Sequence, residues 1–185
     1  MFSKYYSLKK LALITLALGA LAQPVRAYDS KAYPGTMCQR TNATTTAAVR
    51  YDPDGAVRNI DPNVAMVVCP IVRDNTDSTG MSYVDVIVND GSRSSGVTCI
   101  VSIRNSQGKA LVAQIAHSDV AGISSDPDPT GLNASFVVMH DVQAPTGTGP
   151  ISYSLMCSIP GVEAGRVSSI LAYRVQEYPD PLPSD

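Results

Sequence analysis

Four cysteines, two histidines and three aspartate clusters are the residues of this 185-residue chain whose side chains suit covalent, acid–base or metal chemistry. His117 stands two residues before Asp119, and His140 directly precedes Asp141. If the strand ends carrying them converge, either could join a serine in a Ser–His–Asp set, or both could hold copper or zinc. Asp52-Pro53-Asp54-Gly55, Asp74-Asn75-Thr76-Asp77 and Asp126-Pro127-Asp128 space carboxylates as extracellular calcium sites do, so no cofactor is expected unless these loops take calcium. Aspartate before proline or glycine is also the commonest way to start a turn, and that use outweighs the metal reading for all six aspartates. Ser106-Gln107-Gly108-Lys109 spells the Ser-x-x-Lys pattern of penicillin-recognising enzymes. That serine must open a buried helix with a Lys-Thr-Gly element nearby, and this chain lacks the element and places the motif between strands.

The cysteines carry a firmer message. Cys38, Cys69, Cys99 and Cys157 are 31, 30 and 58 residues apart, whereas zinc sites pair their ligands two to four apart. An even set in an exported chain is expected to form two disulfides. Export is read from the first 27 residues. Lys4, Lys9 and Lys10 precede an apolar run at 11–21, and Val25-Arg26-Ala27 offers small residues at the two positions that signal peptidase reads. The run is too short to span a bilayer, and no later stretch replaces it, so the processed chain has no expected membrane span. The protein is expected in the periplasm or outside the cell, after cleavage near Ala27. Four basic residues leave with the leader, so 10 basic and 16 acidic residues remain, a formal charge of −6 that disfavours nucleic acid as a partner.

These residues must be positioned by strands. Of the acidic residues only Glu163 and Glu177 are glutamates, and after processing the only lysines are Lys31 and Lys109. Long surface helices use both types freely, so the balance favours a loop-rich β protein. Residues 28–46 read as an arm, 47–177 as the β domain and 178–185 as a proline-rich tail. Within the domain, short apolar runs recur every 10 to 15 residues between Gly, Pro, Asn and Asp clusters. Residues 64–72 are nearly all apolar, as a central strand covered on both faces would be. Val84, Val86 and Val88 alternate with Tyr83, Asp85 and Ile87. Residues 97–104 and 109–116 predict a hairpin about Asn105-Ser106-Gln107-Gly108, and 134–140, 151–159 and 168–176 predict further strands. Residues 117–133 read as a surface loop. Four cysteines allow three pairings. Cys99 and Cys157 both fall on the apolar side of their strands, which favours joining them and leaves Cys38 to Cys69.

Sugar-binding β domains use flat aromatic rings as platforms. The chain has no tryptophan, and Tyr51 and Tyr83 are its candidate exposed platforms, with Tyr153 and Tyr173 facing the core.

Pro34-Gly35-x-x-Cys38, Val67-Val68-Cys69-Pro70-Ile71, Val97-x-Cys99 and Tyr153-Ser154-Leu155-Met156-Cys157-Ser158-Ile159-Pro160 together resemble small secreted bacterial disulfide-containing β-domain proteins of unassigned function. The resemblance implies bacterial export and an oxidised β domain, and it supplies no catalytic residues. The expectation is an all-β, antiparallel β-sandwich of seven or eight strands, jelly-roll or Greek-key-like, with two disulfides. It is read as a non-catalytic binding or structural module whose partner is an extracellular protein or a glycan. The alternatives are a small hydrolase or metal enzyme built on His117, His140 and nearby aspartates, and a calcium-stabilised adhesin.

Overall fold

The computed structural model describes residues 30–41, 47–74, 80–92, 94–118, 134–145 and 150–178. The leader at 1–27, nearly all of the loop at 117–133, Asp77, Asp119, Asp126, Asp128 and the tail beyond Tyr178 lie outside the described residues.

The described chain forms two antiparallel sheets. The first contains β1 (Ser30–Pro34), β3 (Val49–Tyr51), β4 (Val57–Asn59), β6 (Gly80–Asn89), β9 (Ala134–Gln143) and β11 (Ser169–Glu177). Its order is β3-β4-β11-β6-β9, and β1 also pairs with β11. The second contains β2 (Gln39–Arg40), β5 (Ala65–Pro70), β7 (Thr98–Asn105), β8 (Ala110–His117) and β10 (Ile151–Ile159), in the order β2-β5-β10-β7-β8. The only helical element among the described residues is a 3-10 turn at Gly35–Met37.

The seven longer strands are the seven that the apolar runs and alternation of the sequence predict. The four others have two to five residues, too few for a period of two to stand out, and they raise the total to eleven. Residues 28–46 were expected as an arm, yet β1 joins the first sheet and β2 the second. A second expectation is corrected at β5. Ala65, Val67 and Cys69 are buried, but Val64 and Val68 are exposed, and beyond β10 only the two-residue β2 flanks the strand. The strand is therefore covered on one face and lies near the sheet margin. A short continuous apolar run does not reveal how many of its faces are covered.

Val84, Val86, Val88, Val137, Met139, Tyr173 and Val175 from the first sheet meet Val67, Val101, Ile103, Leu155 and Ile159 from the second in one core. Both disulfides lie in this layer, Cys38 with Cys69 and Cys99 with Cys157. Cys99 and Cys157 are direct register partners on β7 and β10. That bond therefore crosses between neighbouring strands of one sheet instead of bridging the sandwich.

At one end of the sandwich, buried Glu177 accepts from Lys31 Nζ at 2.9 Å, the backbone N–H of Asp74 at 3.1 Å and Arg73 Nε at 3.4 Å. Two cations and an amide are what a carboxylate excluded from water requires. Arg73 also lies 4.6 Å from the Tyr153 ring centre, so this network ties β11, β1 and the strand-leaving segment 71–74 to the half-buried Tyr153.

Candidate functional site

Because β6 sends its valines inward, Tyr83, Asp85 and Ile87 project from the outer face of the first sheet. Strand register builds a grid around them. One row runs Phe136, Ile87, Ala172, Pro34; the next Val138, Asp85, Arg174, Ala32; the third His140, Tyr83, Gln176, Ser30. Phe136 and Val138 are 56% and 38% exposed, large values for apolar side chains.

Only two of these twelve residues carry full charges, and they neutralise each other. Arg174 donates to Asp85 Oδ2 through Nη2 at 2.5 Å and Nε at 3.2 Å, and its guanidinium lies 5.2 Å from the Tyr83 ring centre. The Asp85 hydrogen bonds raise the Arg174 pKa, so the guanidinium stays charged. With two donors spent on one oxygen, Arg174 keeps Nη1 for whatever meets the face. Asp85 is 4% exposed, and its Oδ1 is buried without a hydrogen-bond partner. An orphaned buried acceptor costs about 1 to 3 kcal/mol. The face thus combines a ring, apolar patches and an arginine tethered by Asp85, at a local cost in hydrogen bonding.

The two histidines do not come together. His140 belongs to this face, beside Tyr83, while His117 pairs with Thr98 and projects from the outer face of the opposite sheet. Both are exposed. Asp141 adopts φ 52° and accepts the Tyr178 hydroxyl, not an imidazole. A Ser–His–Asp set or two-histidine metal site drawn from His117, His140 and Asp141 therefore has no geometric basis here.

Of the aspartate clusters, the described members Asp52, Asp54 and Asp74 are engaged by cations. Asp52 accepts from Arg50 Nε at 2.6 Å and from Arg58, and Asp54 accepts from Arg58 Nη2 at 2.7 Å. The two guanidinium groups hold the Asp52 carboxyl below its ordinary range. Asp74 pairs with Lys31 at 3.0 Å. Among the described residues no three His, Cys, Asp or Glu side chains cluster as a metal site would require. Tyr51, the other candidate platform, accepts from the Arg40 amide on the margin of the sandwich.

Serine hydroxyls also gather around carboxylates. Asp90 takes the Ser118 hydroxyl at 2.6 Å, and Glu163 takes those of Ser92 at 2.7 Å and Ser94 at 3.1 Å. These bonds close the connection between β6 and β7 and include no histidine. Ser106 and Lys109 sit in the β7–β8 turn, as the hairpin reading requires.

Asp85 and Arg174 were not among the residues singled out from sequence. The signal was present in Val84-Asp85-Val86-Ile87-Val88, where a lone acid inside a β-branched run demands a cation on a neighbouring strand.

No family model matches this chain, and no curated protein matches it. Solved structures do. A xylan-binding module, CBM15, superposes with a TM-score of 0.52 at 11% identity, over 84% of this chain and 100% of that one. A family 6 carbohydrate-binding module gives 0.45 at 13% identity, over 84% and 100%. The CBM36-1 domain of a multidomain xylanase from the hindgut metagenome of Trinervitermes trinervoides gives 0.40 at 10%, over 80% and 96%. At 11% identity the likeness to the CBM15 module is one of fold alone, that of a two-sheet antiparallel β-sandwich.

Proposed function

We propose that this protein is an exported, non-catalytic binding module that takes a glycan on the outer face of its first sheet. The observation that carries the reading is the Tyr83–Arg174–Asp85 arrangement, flanked by exposed Phe136 and Val138. Aromatic and apolar side chains cover the C–H faces of a sugar ring, and a pinned guanidinium donates to its hydroxyl oxygens with little ordering cost. The grid is electrically neutral, which favours an uncharged polysaccharide, as does the acidic balance of the processed chain. The xylan-binding name of the structural neighbour points the same way. Two disulfides accord with an oxidising compartment, and with the leader they support action outside the cytoplasm.

Affinity electrophoresis against xylan, mixed-linkage β-glucan, pectin and peptidoglycan fragments tests this. At least one uncharged polysaccharide is expected to retard the protein. Tyr83→Ala or Phe136→Ala should each weaken that binding by about tenfold, the range of a lost aromatic anchor, with the melting temperature nearly unchanged. If no polysaccharide in the panel binds, or the two variants bind as the parent does, the assignment of this face fails.

A further inference from the structure

The opposite outer face carries a second pattern, independent of any glycan. On the second sheet, Val68, Met156, Ile100 and Ile115 are register partners in one row across β5, β10, β7 and β8. The adjacent row is Pro70, Ser154, Ser102 and Ala113. Large apolar side chains thus form a ridge beside a shallow channel floored by small ones. Ile115 is 64% exposed and Val68 37%, while Ser102 is sunk to 8% and bonded to Ser154 at 2.7 Å. The row on the far side of the ridge is Met66, Ser158, Thr98 and His117, so no Asp, Glu, Lys or Arg occurs in the three rows. Exposed sheet faces ordinarily carry charges that deter association, and these three rows have none, the exposed Arg104 of β7 standing with Ser152 one row beyond the channel.

The ridge and channel are parallel, neighbouring and of equal length. A two-fold axis lying in the plane of the face, midway between them, places the ridge of one copy into the channel of another. Met156 then lies over the partner's Ser154, Ile100 over the partner's Ser102, Ile115 over the partner's Ala113 and Val68 over the partner's Pro70. Each contact is made twice, as a closed isologous interface demands. We infer that the protein self-associates as a back-to-back dimer through this face, the second copy being the occupant that ridge and channel fit. The rows span roughly 20 Å on a side, a patch smaller than the roughly 800 Å² per partner of a standard interface. The dimer consequently dissociates on dilution.

Sedimentation equilibrium of the processed protein over a wide concentration range tests the inference, with melting temperatures as the control for folding. The weight-average mass should climb from monomer toward dimer. Ile115→Lys and Ala113→Asp alter exposed positions on β8, and each alone should weaken association by about tenfold or more. Combined in one chain, Ile115→Lys with Ala113→Asp should recover much of it, because the introduced opposite charges face one another across the axis. A mass that stays monomeric at every concentration overturns the inference. So does association that ignores Ile115→Lys, or that is abolished by Phe136→Lys, which would place the contact on the first sheet. Loss in both single variants without recovery in the double variant overturns the two-fold register.

Discussion

Tyr173 shows how much one side chain can carry. Its ring stacks on Tyr33 at 5.0 Å, and its hydroxyl donates to the Pro70 carbonyl at 2.7 Å, so one residue of β11 binds both the first strand and the end of β5. Burial raises the phenol pKa above its ordinary value, with the neighbouring Tyr33 adding to the rise. A group whose pKa is raised by folding lends stability that is fully present below its unfolded pKa, about 10 for tyrosine, and is lost as pH climbs beyond it. The melting temperature should therefore hold steady up to about pH 10 and fall above it. Tyr173→Phe should lower stability by roughly 1 kcal/mol through the lost hydrogen bond, so that its melting temperature starts lower and falls less steeply in alkali. An equally steep alkaline fall in the variant would assign the effect to another group. The inward direction of Tyr173 was legible from the face it shares with Leu171 and Val175 in the sequence pattern, whereas its carbonyl partner, 103 residues away, was not.

The hairpin of β7 and β8 is the element most fully written in the sequence. Asn105 Oδ1 accepts the backbone N–H groups of Gln107 at 3.1 Å and Lys109 at 2.9 Å, while Gly108 adopts φ 78°. Asparagine supplies a side-chain acceptor where the backbone turns, and glycine enters the left-handed region without a Cβ penalty. Asn105→Ala and Gly108→Ala are each expected to lower stability by about 1 kcal/mol, measured by urea denaturation. Gly108 has open space around it, so its cost would come from the backbone angle alone. Other elements were harder to read. The pairs of β1 with β11, β2 with β5 and β4 with β11 depend on chain segments meeting from a distance, and β5 looked central because apolar continuity hides which face is bare. The grid around Asp85 escaped notice for a related reason: register is a property of strand pairs, and a single strand does not state its partners.

At the scale of the whole molecule, the sequence displayed a sandwich of strands and favoured, among three possible cysteine pairings, the one the structure has, because alternation and the inward-facing Cys99 and Cys157 are local signals. Sheet order was not displayed, since the chain passes repeatedly between layers and most sheet neighbours are distant in sequence. One disulfide joins β7 to β10 and the other anchors Cys38, just before β2, to β5, so covalent reinforcement sits behind the ridge face and the first sheet relies on packing and the Glu177 network. The pairing of Ser30 with Gln176 has its own consequence. Entry and exit of the domain lie side by side, at the corner of the grid that also holds Tyr83 and His140. A host protein could accept the domain as a loop insertion with almost no gap to bridge, and circularly permuted versions need only a short linker. Cargo fused at either end would hang beside the Tyr83 corner and shade it. Coupling through the exposed Ser106-Gln107 turn instead leaves that corner clear, so carriers attached at the two places should differ in how freely they still reach polysaccharide.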